Sequence, residues 1–162
     1  MLVEAPLGSL NHFLALHPSA EVDWIDISWT QCAARAFRKT SRRGREVRFL
    51  LRLGVVLKHG DVIWRGDDGQ ACIAVDVTPC AVLAGKPASV AAAVAIAFEL
   101  GNLHLPLQFS DGELISIDDG PVQEVFDSVG VPCTRQIRRF EPTSRGNLQM
   151  TLAESFEVIR RS

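Results

Sequence analysis

The sequence predicts an α+β protein in two parts: a small all-β module up to about residue 76, then a β-α-β-β-α-β unit over 77–142. Three observations carry this. Apolar residues alternate with a period of two in the first half. The second half interleaves two helical patterns with four strand patterns. A polar tail without histidine, 143–162, follows Pro142.

In the first part, Val47, Phe49, Leu51 and Leu53 fall on one face of a strand. Gly54, His59-Gly60-Asp61 and Gly66-Asp67-Asp68-Gly69 are turn signals. Between them, Val62-Ile63-Trp64 and Ala71 to Val75 read as further strands. Residues 1–20 are an extension with scattered apolar positions, interrupted by Glu4, Asn11, His12 and His17.

In the second part, Cys80 to Leu83 is a strand, and Pro87 with Ser89 opens a helix that runs to Leu100. Leu105 to Phe109 and Leu114 to Ile117 form a hairpin around Asp111-Gly112, a favoured turn pair. Asp118 or Asp119 caps a second helix with Pro121 in its first turn. Val122, Val125, Phe126 and Val129 make its apolar stripe, and Gly130 stops it. Val131 to Phe140 is the last strand. This order reads as a ferredoxin-like sandwich. The tail has only a weak apolar pattern at Met150, Leu152, Phe156 and Ile159.

The first of these helices stands out. From Ala88 to Leu100 its one charged residue is Glu99, and small apolar side chains surround it. A helix without a polar face must be covered on more than one side. Its own sheet is one cover. The other is the β module, the tail, or a second copy meeting it across a two-fold axis. The helix stops on Gly101-Asn102, and His104 stands at the mouth of the next strand. Imidazole is a metal ligand and a near-neutral proton acceptor, so that position calls for a reason.

Composition narrows the function. At 47% hydrophobic and 22% charged, with a net charge of −2, the chain is a globular protein without a global bias toward nucleic acid. Four cysteines (Cys32, Cys72, Cys80, Cys133) lie far apart without a CxxC pair, which argues for buried thiols of a reducing compartment. No signal peptide is visible, and the longest apolar run, Val90 to Phe98, falls short of the roughly 20 residues that span a bilayer. These features place the chain in the cytoplasm, away from membranes. No nucleophile–base arrangement, GxGxxG or P-loop is present, so the chain reads as non-enzymatic. The basic run Arg35, Arg38, Lys39, Arg42, Arg43, Arg45, Arg48 and Arg52 contains one acid, Glu46. It is a solvated strand face, a docking surface for an acidic protein, or a phosphate track. Against the last, Leu105 to Phe109 offers one aromatic ring where an RNA-binding sheet needs several.

Glu99-Leu100-Gly101-Asn102-Leu103-His104-Leu105-Pro106-Leu107-Gln108 resembles the "HLGNRHVPLQ" segment of the UreE urease accessory proteins, a family of nickel metallochaperones. Val122 to Phe126 with Val129-Gly130, and Phe140-Glu141-Pro142, fall where that family has "VLDDML…FG" and "FEP". Upstream, Gly44-Arg45-Glu46-Val47 and Leu51 to Asp61 are similar to "DGREV…LPRGxxLxxGD". The pieces run in order over residues 22–142. The resemblance implies a partner-contacting N-terminal β domain and a dimerising C-terminal domain. It implies that His104 and its copy from a second protomer hold Ni(II), which is carried rather than used in catalysis. The partners implied are a second copy, the accessory GTPase UreG and the urease apoenzyme assembly complex, with no nucleic acid. Glu99 stands where many members have histidine, the segment Asp118 to Gly120 lacks the family's extra histidines, and Leu53 replaces the arginine of "LPRG". The central ligand is thus kept without the accessory ones, which implies about one ion per dimer. Two alternatives stay open: an interaction module of the same fold that has lost metal delivery, and a nucleic-acid-binding protein using Arg35 to Arg52.

Overall fold

The computed structural model describes residues 1–142. The apolar pattern at Met150 to Ile159 lies outside the described residues. The chain divides between Thr78 and Pro79 into two compact units.

The first unit holds strands β1 (Leu2–Val3), β2 (Gly8–Ser9), β3 (Glu21–Ile27), β4 (Ala36–Thr40), β5 (Glu46–Leu50), β6 (Asp61–Arg65) and β7 (Ala71–Val77). They form two sheets, β1-β5-β4 and β2-β6-β7-β3. Two short helices depart from the all-β expectation. Helix α1 (Leu10–Leu16) is capped by Ser9, whose side chain accepts from the His12 N–H, and it buries Leu10 and Phe13. Helix α2 (Trp29–Cys32) starts at Ser28, whose N–H donates to the Gln31 side chain. Strand β3 pairs in parallel with β7 from Glu21↔Ala71 to Ile27↔Val77. It was hidden in the sequence because a carboxylate, Asp23, occupies a core-facing position beside Ile25 and Ile27.

Strand β5 shows where the alternation holds and where it stops. Val47, Phe49 and Leu51 are buried, but Leu53 is 87% exposed. The ladder ends at Leu50, and a turn closes with Val55 N–H donating to the Arg52 carbonyl. Gly54 takes φ +84° in that turn, which a side chain resists, and Leu53 is carried out to its tip.

The second unit runs β8 (Cys80–Gly85), α3 (Val90–Asn102), β9 (Gln108–Ser110), β10 (Glu113–Ile117), α4 (Gly120–Val129) and β11 (Cys133–Arg138). Its sheet has the order β11-β8-β10-β9, with every neighbouring pair antiparallel. Both helices share one core with the sheet: Ile96 and Leu100 from α3 and Val122, Val125 and Phe126 from α4 meet Leu83 and Leu114. Asp119 caps α4 and Gly130 ends it at φ +72°, as the sequence indicated. Strand β9 begins three residues later than expected. Pro106 has no N–H for a ladder, and its carbonyl accepts from the Ser116 hydroxyl at 2.6 Å.

Gly85 ends β8 against α4. A Cβ there would lie 2.6 Å from Phe126 Cε1 and 3.0 Å from the Pro132 carbonyl oxygen. Gly85→Ala is therefore expected to destabilise the protein by about 1–3 kcal/mol, measured by denaturant unfolding, because the ring must leave its seat.

Candidate metal-binding junction

Helix α3 positions the site at both ends. Ser89 starts it, accepting from the Ala92 N–H at 3.1 Å. Its C-terminus ends two residues beyond the expected stop: Gly101 and Asn102 are helical, and Leu103 is the cap. Leu105 N–H donates to the Leu100 carbonyl (2.9 Å) and His104 N–H to the Gly101 carbonyl (3.0 Å). These are the two bonds of a Schellman motif, with His104 at the left-handed position that glycine usually takes. His104 has φ +56° and is exposed. A side chain there costs about 1 kcal/mol relative to glycine. His104→Gly is thus expected to raise stability by about 1 kcal/mol, seen as a higher Tm, while removing the imidazole.

The same helix separates an inner and an outer face. Ile96 and Leu100 are fully buried, each worth about 2 kcal/mol of apolar burial. Val90, Val94 and Phe98, spaced by four residues, are 81%, 61% and 63% exposed, and Leu103 beside His104 is 49% exposed. An apolar stripe therefore leads along α3 to the imidazole.

Asp118, Asp119, His17 and His59 are engaged elsewhere. Asp118 pairs with Arg135 at 2.5 Å, and Asp119 accepts from the Gly120 N–H as the cap of α4. Burial pushes the thiols of Cys72, Cys80 and Cys133 up, so they stay protonated near neutral pH and are poor ligands. His17 packs on Phe13, with ring centroids 4.9 Å apart. His59 has Nδ1 3.2 Å from Asp76 Oδ1 and stacks on Trp24 at 5.6 Å. His12, His17 and His59 all belong to the first unit. Among the described residues, no three ligating side chains converge. Among the described residues, His104 therefore stands without the rest of a coordination sphere.

The basic run is divided. Arg42 bridges Asp26 and Asp76 at 2.6 Å each, Arg43 pairs with Glu21, Arg52 with Glu4, and Arg45 lies 4.3 Å over the Trp64 ring. Neighbouring carboxylates hold the Arg42 and Arg43 guanidiniums more firmly protonated still. Half of the apparent cationic track is thus neutralised or stacked within the fold.

A family model described as the C-terminal domain of the UreE urease accessory protein matches residues 79–154, the unit that carries His104. Relatives named urease accessory protein UreE match most of the chain. That of Flavobacterium johnsoniae is 34% identical over 131 residues, covering 80% of this chain and 77% of the relative. The chain belongs to the UreE family. The UreE protein of Geobacillus kaustophilus is 31% identical over 145 residues (90% of this chain, 95% of the relative). That of Actinobacillus pleuropneumoniae is 32% identical over 150 residues (90% and 79%). UreE membership makes the chain a urease accessory protein, with a role in urease maturation. No helix among the described residues is long and apolar enough to cross a membrane.

Proposed function

We propose that the chain is a non-catalytic nickel carrier: a cytoplasmic homodimer that holds Ni(II) between two copies of His104 and passes it, with the GTPase UreG, to the urease assembly complex. The observation that carries this reading is the exposed, left-handed His104 at the end of an exposed apolar stripe. A second copy of α3 covers Val90, Val94 and Phe98 and brings two imidazoles together across the two-fold axis. Imidazole suits Ni(II), and two such ligands leave the remaining positions to exchangeable groups. An ion so held can leave for a fuller site, as cargo must.

The wider frame belongs to the same proposal. The strand order β11-β8-β10-β9 supports a ferredoxin-like sandwich as the dimerising domain. The first unit then corresponds to the family's N-terminal domain, which contacts partners. All four cysteines are free, in keeping with a reducing compartment.

The test is nickel delivery. Nickel-loaded protein added to urease apoenzyme and its other accessory proteins, under limiting nickel, is expected to restore urease activity. His104→Ala loaded in parallel is expected to fail. Equal restoration by both would refute a role for His104. A second reading, an interaction module without metal delivery, draws on the lack of converging ligands among the described residues. It requires that neither protein improve on free nickel while both still join the complex.

A further inference from the structure

We propose that the outward face of the β4–β5 ladder docks an acidic protein segment, gripped by the unpaired guanidiniums of Arg38 and Arg48. Of the basic run, Arg42, Arg43 and Arg52 are salt-bridged and Arg45 is stacked, as described above. Arg38 and Arg48 are both exposed, and they are direct cross-strand partners in the antiparallel pairing of β4 with β5. Among the described residues neither makes an ion pair. Like charges directly opposite one another destabilise a ladder, so selection for stability alone would place a carboxylate at one of the two positions. The chain has the means to do so, since the next outward pair is Thr40↔Glu46. Two forks side by side instead line a groove with Lys39, Thr40, Glu46 and Val47, in which three cationic side chains face one carboxylate.

The surroundings select the partner's chemistry. Leu2 pairs with Arg48, so one outward row across the three strands reads Leu2, Arg48, Arg38. Leu2 and Leu50 are 59% and 49% exposed beside the two arginines, an apolar rim for a peptide's aliphatic side chains. Guanidinium accepts a carboxylate through two parallel hydrogen bonds, so a pair of arginines matches a pair of acidic side chains. Nucleic acid fits less well. The ladder's rings, Phe37 and Phe49, stack on each other at 4.4 Å, and Phe49 is buried, so this face offers no platform for bases. The surface lies wholly in the first unit and does not depend on metal at His104.

The experiment uses the full chain without metal, a fluorescent peptide of Glu-Leu repeats, and a fluorescent single-stranded DNA, titrated by anisotropy at low salt. The wild type is expected to bind the peptide more tightly than the DNA. Arg38→Glu is expected to weaken peptide binding at least about tenfold. Arg65→Glu, which makes the same charge change on β6 in the other sheet, is expected to stay within about twofold. The Tm of Arg38→Glu is expected to rise by about 1–3 °C, because the introduced carboxylate faces Arg48, so lost binding is not lost folding. Arg48→Gln supplies a second variant and is expected to lose the peptide as well. Three results would overturn the proposal: no peptide binding by the wild type, equal losses in Arg38→Glu and Arg65→Glu, or tighter binding of DNA that disappears with Arg38→Glu.

Discussion

Phe98→Lys is expected to convert the proposed homodimer into a monomer. Phe98 is 63% exposed in one chain and sits between Val94 and the His104 junction, on the outer face of α3. In a two-fold contact each copy is buried once, so a dimer loses two rings and gains two desolvated ammonium groups. At about 2 kcal/mol of apolar burial per ring, the loss is about 4 kcal/mol per dimer, or roughly a thousandfold in dissociation constant. The fold itself is expected to tolerate the change, because Ile96 and Leu100 on the inner face are untouched. Sedimentation velocity at micromolar concentration checks it: dimer for the wild type, monomer of unchanged far-UV circular dichroism for the variant. Nickel affinity is expected to fall with the dimer, since the second imidazole leaves with the second chain. A wild type that is monomeric with and without nickel would remove the interface altogether.

His104→Ala has the other large effect. Both imidazoles of the proposed two-fold site vanish in one substitution, and nickel affinity is expected to drop at least about a hundredfold in equilibrium dialysis. Dimerisation is expected to persist, which separates the two variants. Alanine does not relieve the left-handed backbone at φ +56°, so stability is expected to stay close to that of the wild type. The glycine variant, in contrast, gains stability and loses nickel.

The second unit was largely legible in the sequence because its signals are local. Ser89, Asp119, Gly130 and Asp111-Gly112 each place a cap or a turn by their own chemistry. The all-round apolar character of α3 also pointed to a face in need of a cover, and the structure identifies it as Val90, Val94 and Phe98. Less local features were missed. Strand β3 carries Asp23 on its buried face, with one carboxylate oxygen accepting from the Arg43 N–H at 3.1 Å, so its alternation is masked. Helix α1 is short, and its stripe of Leu10, Phe13 and Leu14 was visible but set among polar residues. The partners of His59 come from β7 and β3, distant in sequence, and only folding brings Asp76 and Trp24 to it.

At the junction, the sequence pointed to His104 but not to its conformation. The helix was expected to end on Gly101, the residue best suited to a left-handed cap. The structure instead continues through Gly101 and gives that position to His104. A chain selected for stability alone would reverse the two residues. Retaining the imidazole where glycine is favoured is the kind of local cost that functional positions carry.

X-ray absorption at the nickel edge of the loaded protein, with the metal counted per chain, decides whether two copies of His104 hold the ion. About one ion per dimer is expected, with imidazole scattering from a pair of histidines and light oxygen or nitrogen atoms completing the shell. Sulfur neighbours, or a full ion per chain with the same spectrum in His104→Ala, would contradict it.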